Sequence, residues 1–173
     1  MSKLNFDISS FDAFFKSVNF YLVSCGYKIF NSDRKRPWGG FFVINESQSQ
    51  KFLNQFFDGI KINKLKISGK LSPKILIIRP KCRLSWQYHL RREELWRVFF
   101  GKVGVIKNNS NIQQKIILLN EGDQVKIKMK ERHRLIGIDN FAIISEIWQH
   151  TDIEYPSNED DIVRIQDDFG REI

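Results

Sequence analysis

The feature that most constrains the fold is a series of short apolar segments with a period of two, which occupies the chain from residue 64 to residue 148. Apolar and polar residues alternate in many of these segments, as in strands that bury one face. Gly, Pro, Asn and Asp separate them, which is typical of turns. The segments are KLKISGKL, KILIIRP, RLSWQYH, LWRVFFGKVGVI, QKIILL, DQVKIKM, HRLIGI and FAIISEIW. So many short strands without intervening helices predict an all-β fold, either a sandwich or a small antiparallel barrel.

The N-terminal part of the chain has helical rather than strand periodicity. Ser9 or Ser10 is a suitable N-cap for the apolar stripe of FDAFFKSVNFYLVSC. A charged loop, SDRKRP, should then lead into an apolar strand, and a short helix is expected around residues 50–57. We therefore predict a helical extension over residues 1–33 and a barrel domain over residues 34–173, whose acidic C-terminal segment runs back over the barrel.

Composition limits the classes of partner. The net charge of +8 raises the question of nucleic acid, but the lysines are scattered and form no long basic tract. A solvated surface and a basic pocket for a small anion are favoured over nucleic acid. Two cysteines without a CxxC motif, no secretory signal and no long apolar run indicate a cytoplasmic protein without a membrane partner. Fifteen phenylalanines leave two alternatives open, a Phe-rich core or an apolar surface that forms a homodimer.

The stretch LSWQYHLRREELW concentrates metal-ligating side chains on one strand. Gln87 and His89 are two residues apart, so they point to the same face, which in a barrel is the interior. Glu94 follows after a short connection, and an antiparallel barrel can bring His133 opposite them. An amide oxygen, imidazoles and a carboxylate suit Zn, Mn, Fe, Co or Ni. The spacing alone leaves a metal site and ordinary polar strand residues equally open.

Together with EGDQVKIKMKERHRL, this stretch resembles the two metal-binding motifs of the cupin superfamily. More narrowly, RPWGGFFVI, LSWQYH, RREELW, ERHRL and EDDIVRIQDDFGRE occur in the order found in type II (cupin-type) mannose-6-phosphate isomerases. The resemblance does not cover the N-terminal helix. It implies a jelly roll of the cupin (RmlC-like) type and a divalent metal, zinc before the others, held by Gln87, His89, Glu94 and His133. A glutamine in place of the first cupin histidine is the phosphomannose isomerase pattern.

The sequence also departs from that family's pattern. Leu90 and Arg91 stand where the family carries the second and third histidines of a run of three, and Leu95 stands where it has a histidine before the tryptophan. Lys81 replaces the usual glycine after the strand-ending proline. The predicted ligands are intact, so these departures bear on substrate preference rather than on the metal.

The resemblance implies an enzyme, an aldose–ketose isomerase that interconverts mannose 6-phosphate and fructose 6-phosphate through a cis-enediolate. Such a reaction needs a Lewis acid at the carbonyl oxygen and a base with a pKa near the working pH. Glu146 is our first candidate for the base and Glu93 the second. A purely structural role is equally open for either residue.

A phosphorylated sugar also needs fixed cations, and arginine is preferred for bidentate contact with phosphate. The candidates are Arg36, Lys74, Arg92 and Arg164, with Trp38 as a pocket wall. Alternatives are that Arg164 pairs with the neighbouring aspartates and that Arg36 belongs to a solvated loop. Two other functions also stay open: an isomerase for another mannose-like sugar, and a non-catalytic cupin that binds a sugar or sugar nucleotide.

Overall fold

The computed structural model of the protein describes residues 5–57, 60, 65 and 70–171. Antiparallel strands form a jelly roll, as predicted, and α-helices cover one outer face. The helices are α1 (Phe11–Ser24) and α2 (Ser49–Phe56). The strands are β1 (Ile29–Arg36), β2 (Gly39–Ile44), β3 (Lys74–Ile78), β4 (Trp86–Tyr88), β5 (Arg92–Phe100), β6 (Val103–Asn108), β7 (Ile117–Leu119), β8 (Gln124–Ile127), β9 (Arg132–Gly137), β10 (Ala142–His150) and β11 (Val163–Gln166).

Within the described residues, the strands form a six-stranded sheet in the order β1-β2-β3-β10-β5-β8 and a five-stranded sheet in the order β11-β4-β9-β6-β7. Side chains from both sheets meet between them in a buried apolar core, to which strands such as β3, β5, β6 and β10 present alternate residues. This inner core contains Trp38, Leu76, Ile78, Trp96, Val98, Val103, Val105, Ile127, Leu135, Ala142 and Ile144. It fills one part of the barrel interior and leaves the other part to polar side chains.

A second core lies between the helices and the outer face of the six-stranded sheet. Ser10 caps α1 by accepting a hydrogen bond from the Ala13 amide at 3.1 Å. The apolar stripe of α1 and the short helix α2 then pack on the outward residues of β3 and β10. The buried members are Phe6, Phe11, Phe14, Phe15, Val18, Leu22, Tyr27, Phe42, Ile44, Phe52, Leu53, Phe56, Phe57, Leu71, Ile75, Ile77, Ile143 and Ile147. Most of the phenylalanines lie here, which accounts for their number, and homodimer formation stays a prediction.

The structure differs from the predicted organisation around residues 29–36. The segment that we expected to be a charged loop is strand β1, because its backbone pairs with β2 while its charged side chains face solvent. The predicted boundary between residues 33 and 34 therefore falls inside a strand. The acidic C-terminal segment contributes strand β11, which pairs with β4. The predicted strand KLKISGKL lies largely outside the described residues.

None of the helices in the described part of the chain has the length and apolar character needed to cross a bilayer.

We expect the helical extension and the barrel to unfold together, because they share β3 and β10 as a common wall. Phe14 is fully buried and its ring contacts the rings of Phe6, Phe100 and Phe141. Phe14→Ala should lower the free energy of unfolding in urea by about 3–5 kcal/mol. Phe20→Ala, on the same helix but 75% exposed, is the matched control and should change it by less than about 0.5 kcal/mol. If Phe14→Ala did not change the urea concentration at which the barrel unfolds, the extension would be an independent folding unit.

Candidate metal centre

The side chains of His89, Glu94 and His133 meet inside the barrel, and all three are buried. Their candidate ligand atoms lie within 4.8 Å of one another. Glu94 Oε1 is 3.2 Å from His89 Nε2, and Glu94 Oε2 is 3.4 Å from His133 Nε2. Each oxygen of the carboxylate thus lies near one imidazole. This set of N and O donors suits Zn²⁺ and related divalent ions.

The strand registers explain how residues far apart in sequence converge here. Gln87 on β4 is the cross-strand partner of His133 on β9, and Glu94 lies on β5 with its side chain turned inward. Gln87 adjoins the group, with its Nε2 atom 3.5 Å from His89 Nε2. Its Oε1 atom accepts a hydrogen bond from the Ser85 hydroxyl. The structure thus brings together all four predicted ligands, with the amide nitrogen of Gln87 rather than its oxygen facing His89.

Contacts at Nδ1 leave the Nε2 atoms of both histidines facing Glu94, and Arg92 Nη2 lies 3.1 Å from His89 Nε2. His89 Nδ1 contacts the main-chain carbonyl of Asp161, and His133 Nδ1 lies 2.9 Å from the carbonyl of Glu131. A carbonyl can only accept, so both Nδ1 atoms carry the proton and both Nε2 atoms keep a lone pair. Glu94 Oε2 and His133 Nε2 are buried and have no hydrogen-bond partner among the described residues. Unsatisfied buried acceptors are rare and costly, and a cation would satisfy both, so the residues fit a metal.

The charge states of the group agree with this fit. Burial lowers the pKa of His89, although the charge of Glu94 opposes the shift, so the ring is neutral at neutral pH. Burial raises the pKa of Glu94, but the charged groups around it, among them the Arg92 guanidinium, hold the pKa well below its usual value. A neutral His89 imidazole beside an ionised Glu94 carboxylate matches the protonation states that ligation requires.

A cavity of about 370 Å³ opens beside Glu94 and Gln87. It brings together the predicted substrate-binding residues, which come from β1, β3, β5, β11 and the turn after β1. They are Arg36, Trp38, Lys74, Arg92 and Arg164. The turn depends on Gly39, which has a φ of 149° and whose Cβ, if it had one, would lie 1.9 Å from the Ile77 carbonyl oxygen. This close approach between β2 and β3 places the end of β1 at the cavity.

Basic side chains and an indole ring form one wall of this cavity. The Lys74 ammonium lies 3.8 Å from the centroid of the Trp148 ring, and the Arg92 guanidinium lies 3.7 Å from it. Arg92 also donates to Glu94 Oε1 at 2.8 Å, which links this wall to the candidate ligands. Lys74 is buried and pairs with Glu159, whose side chain is largely exposed. Cations over an aromatic face, in a partly enclosed cavity, favour an anionic ligand.

The two candidates for the base occupy opposite faces of the six-stranded sheet. Glu146 on β10 lines the cavity, and the indole N–H of Trp96 donates to its Oε1 atom at 2.9 Å. Burial and then the charge of Glu94 raise the pKa of Glu146 to about 7. Glu93 precedes the inward-facing Glu94 on β5, so it points outward, where it pairs with Lys126. The structure does not bring Glu93 into the cavity.

Two residues that our sequence analysis did not select contribute to the site. Trp148 lies two residues after Glu146 on β10, so strand alternation could have placed it on the same face. Asp161 is buried and its carboxylate accepts hydrogen bonds from the amides of Leu90 and Arg91 at 2.9 and 3.0 Å. No periodicity in the sequence pointed to this contact, because it joins loops 70 residues apart.

The comparisons with known proteins agree with this architecture. The chain is 30% identical over 136 residues to the alginate biosynthesis protein AlgA of Pseudomonas aeruginosa, which covers 79% of this chain and 22% of AlgA. It is 26% identical over 136 residues to the xanthan biosynthesis protein XanB of Xanthomonas campestris pv. campestris, which covers 79% of this chain and 23% of XanB. The chain thus spans less than a quarter of the length of these curated relatives.

A solved structure also shares the fold. Oxalate decarboxylase from Bacillus subtilis superposes with a TM-score of 0.55 at 13% identity, over 80% of this chain and 31% of that one. This likeness bears on the fold alone and confirms the predicted cupin barrel. The model of the family described as "Mannose-6-phosphate isomerase C-terminal" matches residues 28–167. The chain therefore belongs to the mannose-6-phosphate isomerase C-terminal family, within the cupins.

Proposed function

We propose that the chain is a metal-dependent sugar-phosphate isomerase that interconverts mannose 6-phosphate and fructose 6-phosphate. The observation that carries the proposal is the buried group of His89, Glu94 and His133 beside a cavity that also holds basic residues and Glu146. Family membership and the AlgA and XanB relatives support the choice of sugar class. Homodimer formation stays a prediction.

His89, Glu94 and His133 would hold the metal, with Gln87 adjoining them. When bound there, a divalent cation supplies Lewis-acid stabilisation of negative charge on the substrate carbonyl oxygen. Two imidazoles and a carboxylate suit Zn²⁺ first and admit Mn, Co, Ni or Fe. The protein's own contribution is to keep these donors buried, deprotonated where they ligate, and oriented by the carbonyls of Asp161 and Glu131.

Glu146 is the proposed base. Its carboxylate would take the proton from C2 of the open-chain aldose and return it to C1, while a proton passes from the O2 hydroxyl to O1. The products balance, since one carbon loses the hydrogen that the other gains. In the metal-free protein the pKa of Glu146 is about 7, and its first cause, burial, does not depend on the metal, so the carboxylate is a stronger base than a solvated one. The hydrogen bond from Trp96 fixes one carboxyl oxygen and so the direction of the other.

The phosphate would bind among Arg36, Lys74 and Arg164, which line the same cavity as Glu146. Lys74 pairs with the largely exposed Glu159. A phosphate dianion is a stronger partner for a buried ammonium than a solvated carboxylate, so we propose that it takes the place of Glu159. Trp38 and Trp148 would form the walls on either side of the sugar.

Three of the positions that depart from the family pattern, Leu90, Arg91 and Leu95, lie away from this cavity, which favours the same sugar over another one. Leu90 is 46% exposed. The Arg91 side chain donates to Asn158 Oδ1 at 3.1 Å on the surface. Leu95 packs on the outer core beneath the helices. Among the described residues, none of the three lines the cavity beside Glu94.

Removal of the metal should abolish activity reversibly. Purified protein treated with a chelator should lose conversion of mannose 6-phosphate in a coupled assay and regain it with Zn²⁺, Mn²⁺, Co²⁺ or Ni²⁺. His89→Ala should weaken metal binding by more than about 100-fold, because it removes a ligand rather than a ligand's partner. Stoichiometric metal binding without turnover would point to another sugar. Sugar binding without any metal binding would favour the non-catalytic cupin.

Replacing Glu146 and Glu93 in turn should show which of the two glutamates acts as the base. In the metal-loaded protein, Glu146→Gln should lower kcat by about 10²–10⁴-fold, the usual contribution of a positioned general base. Glu93→Gln, on the outer face of the sheet, is the matched control and should stay within about twofold of the wild type, in the range of surface changes. Equal kcat values for both variants and the wild type would place the base elsewhere.

The raised pKa of Glu146 should also be visible in the stability of the metal-free protein. The pKa of Glu146 is about 7 in the folded protein and 4.5 in the unfolded chain. The protonated residue therefore stabilises the fold fully below pH 4.5, and this stabilisation is lost as the pH rises through 7. Glu146→Gln does not titrate, so it should gain stability relative to the wild type between pH 5 and pH 8, by up to about 3 kcal/mol. Urea unfolding at both pH values measures this gain. A difference that does not change with pH would contradict the raised pKa.

A further inference from the structure

The least supported of the candidate ligands is His89, because it lies outside any strand. Glu94 and His133 belong to β5 and β9, whose ladders hold their backbones on both sides. Strand β4 ends at Tyr88, one residue before His89. In the connection that follows, the His89 carbonyl accepts a hydrogen bond from the Lys130 amide at 2.8 Å. Something other than a strand ladder must fix the direction of its imidazole.

One buried residue of the C-terminal segment contacts three successive residues of this connection. The main-chain carbonyl of Asp161 accepts a hydrogen bond from His89 Nδ1. Its Oδ1 atom accepts one from the Leu90 amide at 2.9 Å, and its Oδ2 atom accepts one from the Arg91 amide at 3.0 Å. Its Oδ2 atom also accepts from the Ser157 hydroxyl at 2.6 Å. The Asp161 side chain is only 2% exposed. The same residue thus holds the ring of His89 and the backbone of the two residues that follow it.

We propose that Asp161 is the positioning residue of the metal centre. Its carbonyl selects the His89 tautomer with the proton on Nδ1, and its carboxylate anchors the connection that carries the ring. This inference rests on the proposed metal-dependent function, which it deepens by naming the residue that prepares the site. Arg92 strengthens the link, since one of its guanidinium nitrogens donates to the Asp161 carbonyl at 3.3 Å and to the Ser157 hydroxyl at 2.9 Å.

The chemistry of the contacts requires a carboxylate at this position. Three donors converge on its two oxygens: two main-chain amides and a hydroxyl. An asparagine has one oxygen and one NH₂ group, so one amide would face a donor instead of an acceptor. The connection would then shift away from the C-terminal segment, and the His89 ring would move with it. Loss of an outer partner of a metal ligand typically weakens metal binding by about 10–100-fold.

The test compares Asp161→Asn with Asp152→Asn in the full chain. Asp152 is the matched control, because its Oδ1 atom also accepts two main-chain amides, from Glu154 and Tyr155, but in an exposed turn. Co²⁺ is the probe, with affinity measured by calorimetry and geometry by its visible absorption bands. Asp161→Asn should bind Co²⁺ about 10–100-fold more weakly, with shifted bands, and Asp152→Asn should match the wild type.

The outcomes separate this inference from the function on which it rests. If wild-type protein binds no Co²⁺, the metal-dependent function itself fails. Wild-type affinity and bands in Asp161→Asn, even with lower stability to urea, would reduce Asp161 to a structural role and overturn the inference alone. If Asp161→Asn does not fold, Ser157→Ala provides the second test, because it removes only one donor to the same carboxylate. It should shift the Co²⁺ bands in the same direction by a smaller amount, and unchanged bands would overturn the inference.

Discussion

The interior of this protein depends on a buried carboxylate that is held ionised by its neighbours. Glu94 has a guanidinium nitrogen of Arg92 at 2.8 Å from one oxygen and an imidazole within 3.4 Å of each. Taking such a charge out of water is costly unless partners replace the lost hydration. Arg92 in turn needs its own acceptors, which the Ser157–Asp161 segment provides. The C-terminal segment must therefore close over the barrel for the ligands to be buried together.

The helical layer gives this polar interior a rigid wall. Strands β3 and β10 are buried on both faces, since their outward residues lie under α1 and α2 while their inward residues face the barrel. Lys74, Glu146 and Trp148 project from these two strands into the cavity. Side chains on doubly buried strands have little freedom to move, so the base, the cation and the aromatic wall keep their relative positions. Helices α1 and α2 thus support the site, and none of their residues lines the cavity.

The alternation of side chains along strands explains which parts of the site could be read from the sequence. Gln87 and His89 are two residues apart, and both side chains are buried in the interior as this spacing predicted, although β4 ends one residue before His89. The same rule separates Glu93 from Glu94, because adjacent residues on β5 face opposite sides. The rule also places Trp148 on the same face of β10 as Glu146, two residues away. Asp161 follows no such rule, since its partners are the main-chain N–H groups of another loop, which every residue type except proline carries.

By itself, the sequence determined the jelly roll, the helix before it and the family, because periodicity and ordered motifs are properties of the chain read in one dimension. Only the tertiary structure decided which groups meet. It paired Gln87 with His133, seated the phenylalanine stripe on the outer sheet face, and raised the pKa of Glu146 through burial near Glu94. These outcomes depend on distances across the barrel and on exclusion of water. Neither is encoded in local spacing, so both emerge only when the sheets close.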